Sequence, residues 1–599
     1  MLSSIALFAM TSTTMTQSTA GTAAERNAHA HRWERDVDVD GRTTLFTALR
    51  GSALLAEPLL NKGTAFSEQE RAALGLRGHL PAAVETLGAQ VARTYAELRA
   101  EPSSIGRYQL LRALQDENEV LFYAVLSAHV HELMPVVYTP TVGQAVEQWS
   151  ALFRAPRGMF LSAHHAADIG AIVDEWPNPD VRMIVATDSS AILGIGDQGV
   201  GGMAIPVGKL ALYVLGGTSP YETLPVTLDV GTDRLERIED PQYLGLRGHR
   251  LKGEAYLAVV DAFVEAVARR YPRAIVQWED LGKDTAFTVL ERFRKRLPSF
   301  NDDVQGTGAV ALAGVISACK LRGTPFTEAR VVVHGAGAGG AGVASLVREG
   351  MVRAGLTKEE AARRVFVLDS KGLLVEGRPL ESYKVALAQP KSAVASWKIA
   401  GAVPTLHETI VHARATVLIG LSGQAGAFDE EAVRAVARNC ERPIVFPLSN
   451  PTSACEALPE DVFAWTAGRA IVATGSPFPP VQVGDEARVI GQGNNAFIFP
   501  GLGFGARLAE VREITDGMVL AATDALVAWV DARHLANGQV YPPVTELGEV
   551  SAEVAAAVIT QARAEGVARA ELPADAELLE YVRRRAWTPE YAPVMTKGR

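Results

Sequence analysis

Two acidic pairs are the residues of this chain best suited to chemistry. The apolar run Ala274-Ile275-Val276-Gln277-Trp278 ends in Glu279-Asp280, and further on Ser299-Phe300-Asn301 runs into Asp302-Asp303-Val304-Gln305-Gly306-Thr307. Each pair closes a segment that reads as a strand. Glu279, Asp280 and Asp303 can therefore converge on one divalent cation. Hard cations such as Mg²⁺ and Mn²⁺ take oxygen ligands, and three carboxylates leave coordination positions open to a substrate. One acidic pair alone would read as a solvated turn, so the weight falls on the motifs around it.

The second motif is glycine-rich. Val331-Val332-Val333-His334 reads as a buried strand, followed by Gly335-Ala336-Gly337-Ala338-Gly339-Gly340 and a helical pattern to about Ala354. Gly335, Gly337 and Gly340 fit the dinucleotide fingerprint: a tight turn, a close approach to pyrophosphate, and close packing of helix on strand. The phosphates would sit on free N–H groups at the helix start. The next strand, Val365 to Leu368, ends at Asp369, placed to bind an adenosine ribose. A carboxylate there favours NAD over NADP, although the adjacent Lys371 offers a partner for a 2′-phosphate. Two asparagine sites follow strand-like runs, at Pro447-Leu448-Ser449-Asn450 and at Gly491-Gln492-Gly493-Asn494-Asn495. An amide in such a place can donate to a carboxylate and accept from a ribose or nicotinamide group. Asparagines also favour turns for their own sake.

The elements that must position these groups change character along the chain. From about 66 to 135 apolar residues recur at helical spacing, as in Leu110, Leu111, Leu114, Leu121, Val125 and Val130. From Arg182 short β-rich runs take over, and from Val331 strands and helices alternate, which predicts a parallel sheet covered on both faces. The fold class expected is multidomain α/β, with a Rossmann-type doubly wound sheet, an α/β substrate domain, and helical N- and C-terminal regions. The expected boundaries are a flexible leader at 1–45, a helical domain at 46–156 and a substrate and metal domain at 157–301, resumed at 495–565. The Rossmann domain takes 302–494 and a helical tail 566–599.

Composition excludes several classes. The 599 residues are 48% hydrophobic and 21% charged, with a formal charge of -10. No basic stretch marks a nucleic-acid surface, and no uninterrupted apolar run of about 18 residues suggests a membrane span. Three scattered cysteines (Cys319, Cys440, Cys455) fit neither a disulfide frame nor a zinc site, and a reducing, cytoplasmic setting is expected. The N-terminal stretch lacks the charges of a targeting signal, and Met10 or Met15 are possible true starts.

Several of these segments together resemble the malic enzyme family. They are Tyr138-Thr139-Pro140-Thr141-Val142-Gly143, Gly194 to Gly199, Ile205-Pro206-Val207-Gly208-Lys209-Leu210, Phe300 to Thr307 and Pro447 to Ser453. The resemblance runs from about Asn61 to about Tyr591. It implies oxidative decarboxylation of L-malate to pyruvate and CO₂, with NAD or NADP and with Mg²⁺ or Mn²⁺ as a Lewis acid. It further implies Glu279, Asp280 and Asp303 as metal ligands, Lys209 as general base and Tyr138 as general acid. Asn450 and Asn495 would bind substrate carboxylate or nicotinamide, and Asp302 would hold Lys209 charged between steps. Asp303 also borders the cofactor. A homodimer or homotetramer is expected, with malate as the only partner.

The chain departs from the family pattern in two places. Ala191 (in Asp188-Ser189-Ser190-Ala191) and Ala454 (in Ser453-Ala454-Cys455-Glu456) stand where the family carries arginines. Alanine cannot replace a bidentate guanidinium–carboxylate pair, so substrate binding weakens unless another cation, such as Arg157 or Arg182, moves in. The same departure resembles the malolactic enzymes, which release lactate from malate with bound NAD and Mn²⁺. A third expectation is a non-catalytic sensor of nucleotide or dicarboxylate. Arg93 matches one position of the family's activator site, but Glu117 occupies another where an arginine is wanted, which predicts no activation by fumarate.

Overall fold

The computed structural model describes residues 33–38, 41–192 and 194–597. A five-stranded sheet carries the first acidic pair. Its spatial order is Met159–Ser162, Thr223–Asp229, Met183–Thr187, Ile275–Glu279, Ser299–Asn301, and every neighbouring pair is parallel. Parallel strands buried on both faces need unbroken apolar sequence, and Met183–Thr187 and Ile275–Glu279 are buried at every position. Ile184, Ala186, Val276 and Trp278 pack with Val259, Phe263 and Val267 of helix Gly253–Arg270. The alternate residues Met183, Val185 and Ile275 face Leu210 and Tyr213 of helix Ala204–Leu215. Gln277 and Glu279 follow Ile275 on this second face, since strand side chains alternate.

The second sheet has seven strands, ordered Gly372–Leu373, Val365–Asp369, Val331–His334, Val417–Gly420, Ile444–Pro447, Ile471–Thr474, Gly491–Gln492. All neighbours are parallel except the first pair. Strand order reverses between Val331–His334 and Val417–Gly420, and the crevice beyond such a switch point is where open α/β sheets bind ligands. Helix Thr307–Arg322 is buried nearly all round. Among the described residues, Asp302–Arg322 is the one helix long and apolar enough to cross a membrane, but it is mostly buried inside the protein. It is a core helix.

The helical region forms as its periodicity predicts. Ser104–Glu117 and Glu119–Ala128 are separate helices because Asn118 breaks the run, its side chain accepting from Leu121 N–H as an N-cap. Leu111, Leu121 and Val125 are buried, with Leu110 and Leu114 packed around them.

The leader expectation is corrected at its inner end. Residues 1–32, 39 and 40 lie outside the described part, but Trp33–Val37 is a strand. It pairs antiparallel with Thr43–Thr47, which pairs in turn with Val594–Thr596. The C-terminal tail is therefore not helical throughout: after helix Asp575–Arg585 it ends as a strand of this small sheet.

Candidate active site

Ile275–Glu279 and Ser299–Asn301 run parallel, with Trp278 opposite Asn301, so their ends deliver Glu279-Asp280 and Asp302-Asp303 side by side. The chain then enters a π-helical turn, Asp302–Gly306, whose first amides are capped by Asn301 accepting from Val304 N–H. Such widened turns re-aim side chains and recur at functional sites. Asp280 sits at φ +54° and donates its N–H to Asp303 Oδ2 at 2.8 Å. One oxygen each from Glu279, Asp280 and Asp303 falls within 4.8 Å of the others.

This arrangement fits a divalent cation. Asp280 Oδ2 is buried without a hydrogen-bond partner, a costly state that an ion would relieve. Burial, then the negative charges of Asp303 and Glu279, push the Asp280 carboxyl well above its ordinary range. Glu279 and Asp303 are also raised, by burial first and by their acidic neighbours, against the opposing pull of Lys209. Carboxylates that repel one another out of water are a set waiting for a counterion.

Lys209 is the cation the chain itself supplies. It is 2% exposed, with Nζ 2.5 Å from Asp302 and 2.9 Å from Glu279. Burial alone would lower its proton affinity, but the two carboxylates override this and hold it well above the usual lysine range. Its ammonium also lies 4.5 Å from the ring centre of Phe499 and 5.4 Å from that of Tyr138. Burial, with Glu279 and Asp302 nearby, raises the Tyr138 phenol and keeps it protonated.

Asn495 belongs to the same array, its Nδ2 donating to Asp302 Oδ2 at 3.0 Å and to Thr307 Oγ1 at 2.9 Å. Asn450 approaches from the other sheet. Its Oδ1 accepts from Ser476 Oγ at 2.6 Å, and a Cβ on Gly194 would meet the Asn450 carbonyl at 2.7 Å. The loop after Ala191 thus rests on the Asn450 loop.

The nucleotide crossover has the geometry its glycines predict. Gly335 lies at φ +117°, where a side chain would strike the Leu421 backbone, and a Cβ on Gly340 would collide with the Gly335 carbonyl. Gly337 is open, its nearest contact being the Lys283 side chain at 4.0 Å. Asp369 ends its strand as expected, but Arg378 grips it with two hydrogen bonds of 2.9 and 3.0 Å. Lys384 is 3.8 Å away. The side chains that answer this carboxylate are Arg378 and Lys384, whereas Lys371 offers it a backbone N–H.

Neither arginine considered as a replacement clamp serves as one. Arg157 is bound to Glu119 at 2.6 Å and Asp116 at 3.4 Å, and Arg182 to Asp180 at 2.5 Å and Glu510 at 3.5 Å. Both line a separate cavity of about 1170 Å³. Ala191 does lie at the cluster, its N–H donating to the Asp280 carbonyl at 3.1 Å. Sequence reading missed Thr307, Phe499 and Arg378, and also Gln277, whose alternation with Glu279 was the available signal.

A dinucleotide crossover beside a buried cluster of carboxylates, one lysine and one tyrosine, with a Cβ on Gly339 falling 3.6 Å from the Asp303 carbonyl, defines a class of nucleotide-dependent enzymes acting on small polar substrates. Comparison with known proteins narrows it. The family description "Malic enzyme, N-terminal domain" matches residues 115–294, and "Malic enzyme, NAD binding domain" matches 304–563. The NAD-dependent malic enzyme of Photorhabdus laumondii is 43% identical over 558 residues, covering 93% of this chain and 98% of its own. That of Pseudomonas aeruginosa is 44% identical over 550 residues, covering 91% and 97%. Among solved structures, the Entamoeba histolytica malic enzyme aligns over 86% of this chain and 90% of its own, with a TM-score of 0.53 at 23% identity. The Pyrococcus horikoshii enzyme aligns over 76% and 89%, with a TM-score of 0.51 at 26% identity. The chain belongs to the malic enzyme family.

Proposed function

We propose that this chain oxidatively decarboxylates L-malate to pyruvate and CO₂, reducing NAD, with Mg²⁺ or Mn²⁺ held by Glu279, Asp280 and Asp303. The single observation that carries this is the unpartnered, buried Asp280 oxygen in a cluster of three carboxylates whose oxygens lie within 4.8 Å of one another, beside the Lys209–Tyr138 pair. The relatives named as NAD-dependent malic enzymes support NAD as the hydride acceptor. When bound, the cation supplies Lewis acidity toward the substrate oxygens and cancels part of the carboxylate charge around Lys209.

The chain's own groups divide the proton work. Removing a hydride from C2 requires the malate hydroxyl proton to leave, and Lys209 is the buried amine placed to take it once its surrounding negative charge falls. Asp302 and Glu279 hold it in place and favour the protonated form. Losing CO₂ leaves a carbon that must gain a proton, and the raised phenol of Tyr138 is its donor, with the Lys209 ammonium beside it to restore that proton. Asn495 orients Asp302, and Asn450 supplies an amide from the nucleotide side. NAD is preferred, and NADP is the alternative for which Arg378 and Lys384, the cations beside Asp369, would answer a 2′-phosphate. A cytoplasmic setting and a homodimer or homotetramer complete the reading.

Ala191 favours a second reading, because it places a methyl group beside the cluster where the resemblance expects a guanidinium. That is the malolactic conversion of malate to lactate and CO₂ with bound NAD and Mn²⁺. Incubating the protein with L-malate, Mn²⁺ and NAD separates the two. Pyruvate with equivalent NADH is expected; lactate without net NADH would transfer the assignment to the second reading, and no turnover would contradict both.

A further inference from the structure

Gln277 is wholly buried in the middle of a strand that otherwise delivers apolar residues and metal-ligand candidates. Both polar atoms of its amide have a partner. The oxygen accepts from the Tyr213 hydroxyl at 2.5 Å, and the nitrogen donates to Glu279 Oε2 at 2.6 Å. The other Glu279 oxygen, Oε1, lies 2.9 Å from Lys209 Nζ. Tyr213 stands one helical turn beyond Lys209 on Ala204–Leu215, so both point to the same face of the sheet. One helix therefore holds Glu279 twice, directly through Lys209 and indirectly through Tyr213 and Gln277.

The direction of the amide follows from this pairing. An ionised carboxylate only accepts, so Glu279 takes the NH₂ end of Gln277, and the Tyr213 hydroxyl, donating to the amide oxygen left over, holds the amide in that direction. The terminal torsion of a glutamate is otherwise broad. With a donor on each oxygen the carboxylate plane is fixed, and Glu279 faces the cluster in a single orientation.

We propose that Gln277, oriented by Tyr213, is a positioning residue for the divalent cation: it fixes the carboxylate plane of Glu279 and thereby sets the affinity of the three-carboxylate site. This rests on the reading of Glu279, Asp280 and Asp303 as metal ligands. Partners that orient metal ligands typically contribute about 10–100-fold to metal affinity.

The test measures Mn²⁺ binding to the full chain by electron paramagnetic resonance of free Mn²⁺, with neither malate nor NAD present. The proteins compared are wild type, Gln277→Met, Tyr213→Phe and the double variant, with circular dichroism to verify folding. Each single change is expected to raise the Mn²⁺ dissociation constant by about 10-fold or more, and the double variant to bind no more weakly than Gln277→Met, because Tyr213 acts only through the amide. Losses that multiply in the double variant, or a Tyr213→Phe protein that binds within about twofold of wild type, would overturn the inference. Should Gln277→Met fail to fold, Tyr213→Phe decides alone, since it removes one oxygen and keeps the ring. A wild-type protein that binds no Mn²⁺ would overturn the ligand assignment and this inference together, whereas wild-type binding with unaffected variants would overturn the inference only.

Discussion

On one side of the site, the strand ends at Glu279 and Asn301 bring together Glu279, Asp280, Asp302 and Asp303, and helix Ala204–Leu215 adds Lys209. On the other, the turn from Gly335 to Gly340 works through backbone shape: a left-handed residue, an open approach and a close helix–strand contact. The charged side is held by side-chain hydrogen bonds from several distant segments, the nucleotide side by one local turn. Chemistry that moves protons and CO₂ needs fields arranged beforehand. A pyrophosphate needs mainly free N–H groups and room. The two sides should therefore fail separately.

The largest effect is expected on the charged side. Tyr138→Phe should lower turnover by about 10²–10⁴ while Mn²⁺ and NAD still bind; turnover close to wild type would remove the phenol from the proton path. A smaller, opposite pattern is expected from Gly340→Val. Its side chain meets the Gly335 carbonyl, and strain of about 1–3 kcal/mol corresponds to roughly 5- to 150-fold in NAD affinity. Titration of NAD and of Mn²⁺ should show the first weakened and the second unchanged, and parallel losses in both would break the separation.

Acidity probes the same contrast through stability. The carboxyls of Glu279, Asp280 and Asp303 are raised in the folded protein. Their protonated forms thus contribute stability at low pH that is lost as pH rises through the folded values, up to about 8 for Glu279. Lys209, raised above its ordinary range, keeps its proton throughout this window. The metal-free protein should melt at progressively lower temperature from about pH 4 to about pH 8, where Mn²⁺ should restore stability. A melting temperature that rises over the same window without metal would contradict the buried-carboxylate account. The smallest expected effect is none: fumarate should leave the rate at subsaturating malate unchanged, as Arg93 is paired with Glu85 at 3.0 Å and Glu117 stands at the second position.

Much of this was legible in the sequence, for local reasons. Ile275–Glu279 and Val331–His334 announce themselves as apolar runs with acids or glycines at their ends. What stayed hidden depends on partners far along the chain. Lys209 is reached only through the family resemblance, because nothing local to it shows that Asp302, 93 residues later, faces it. Gln277 reads as a polar interruption until Tyr213 is placed against it. Trp33–Val37 reads as leader because its sheet is completed by Val594–Thr596, at the opposite end of the chain. Arg378 follows Asp369 closely, yet its grip depends on how the intervening hairpin folds back.

The most direct test of the whole account replaces Asp280 by asparagine and follows Mn²⁺ binding together with NADH production from L-malate. Loss of both, with NAD binding retained, is the predicted result. An Asp280→Asn protein that binds Mn²⁺ and turns over malate like the wild type would contradict the three-carboxylate cation site on which the mechanism depends.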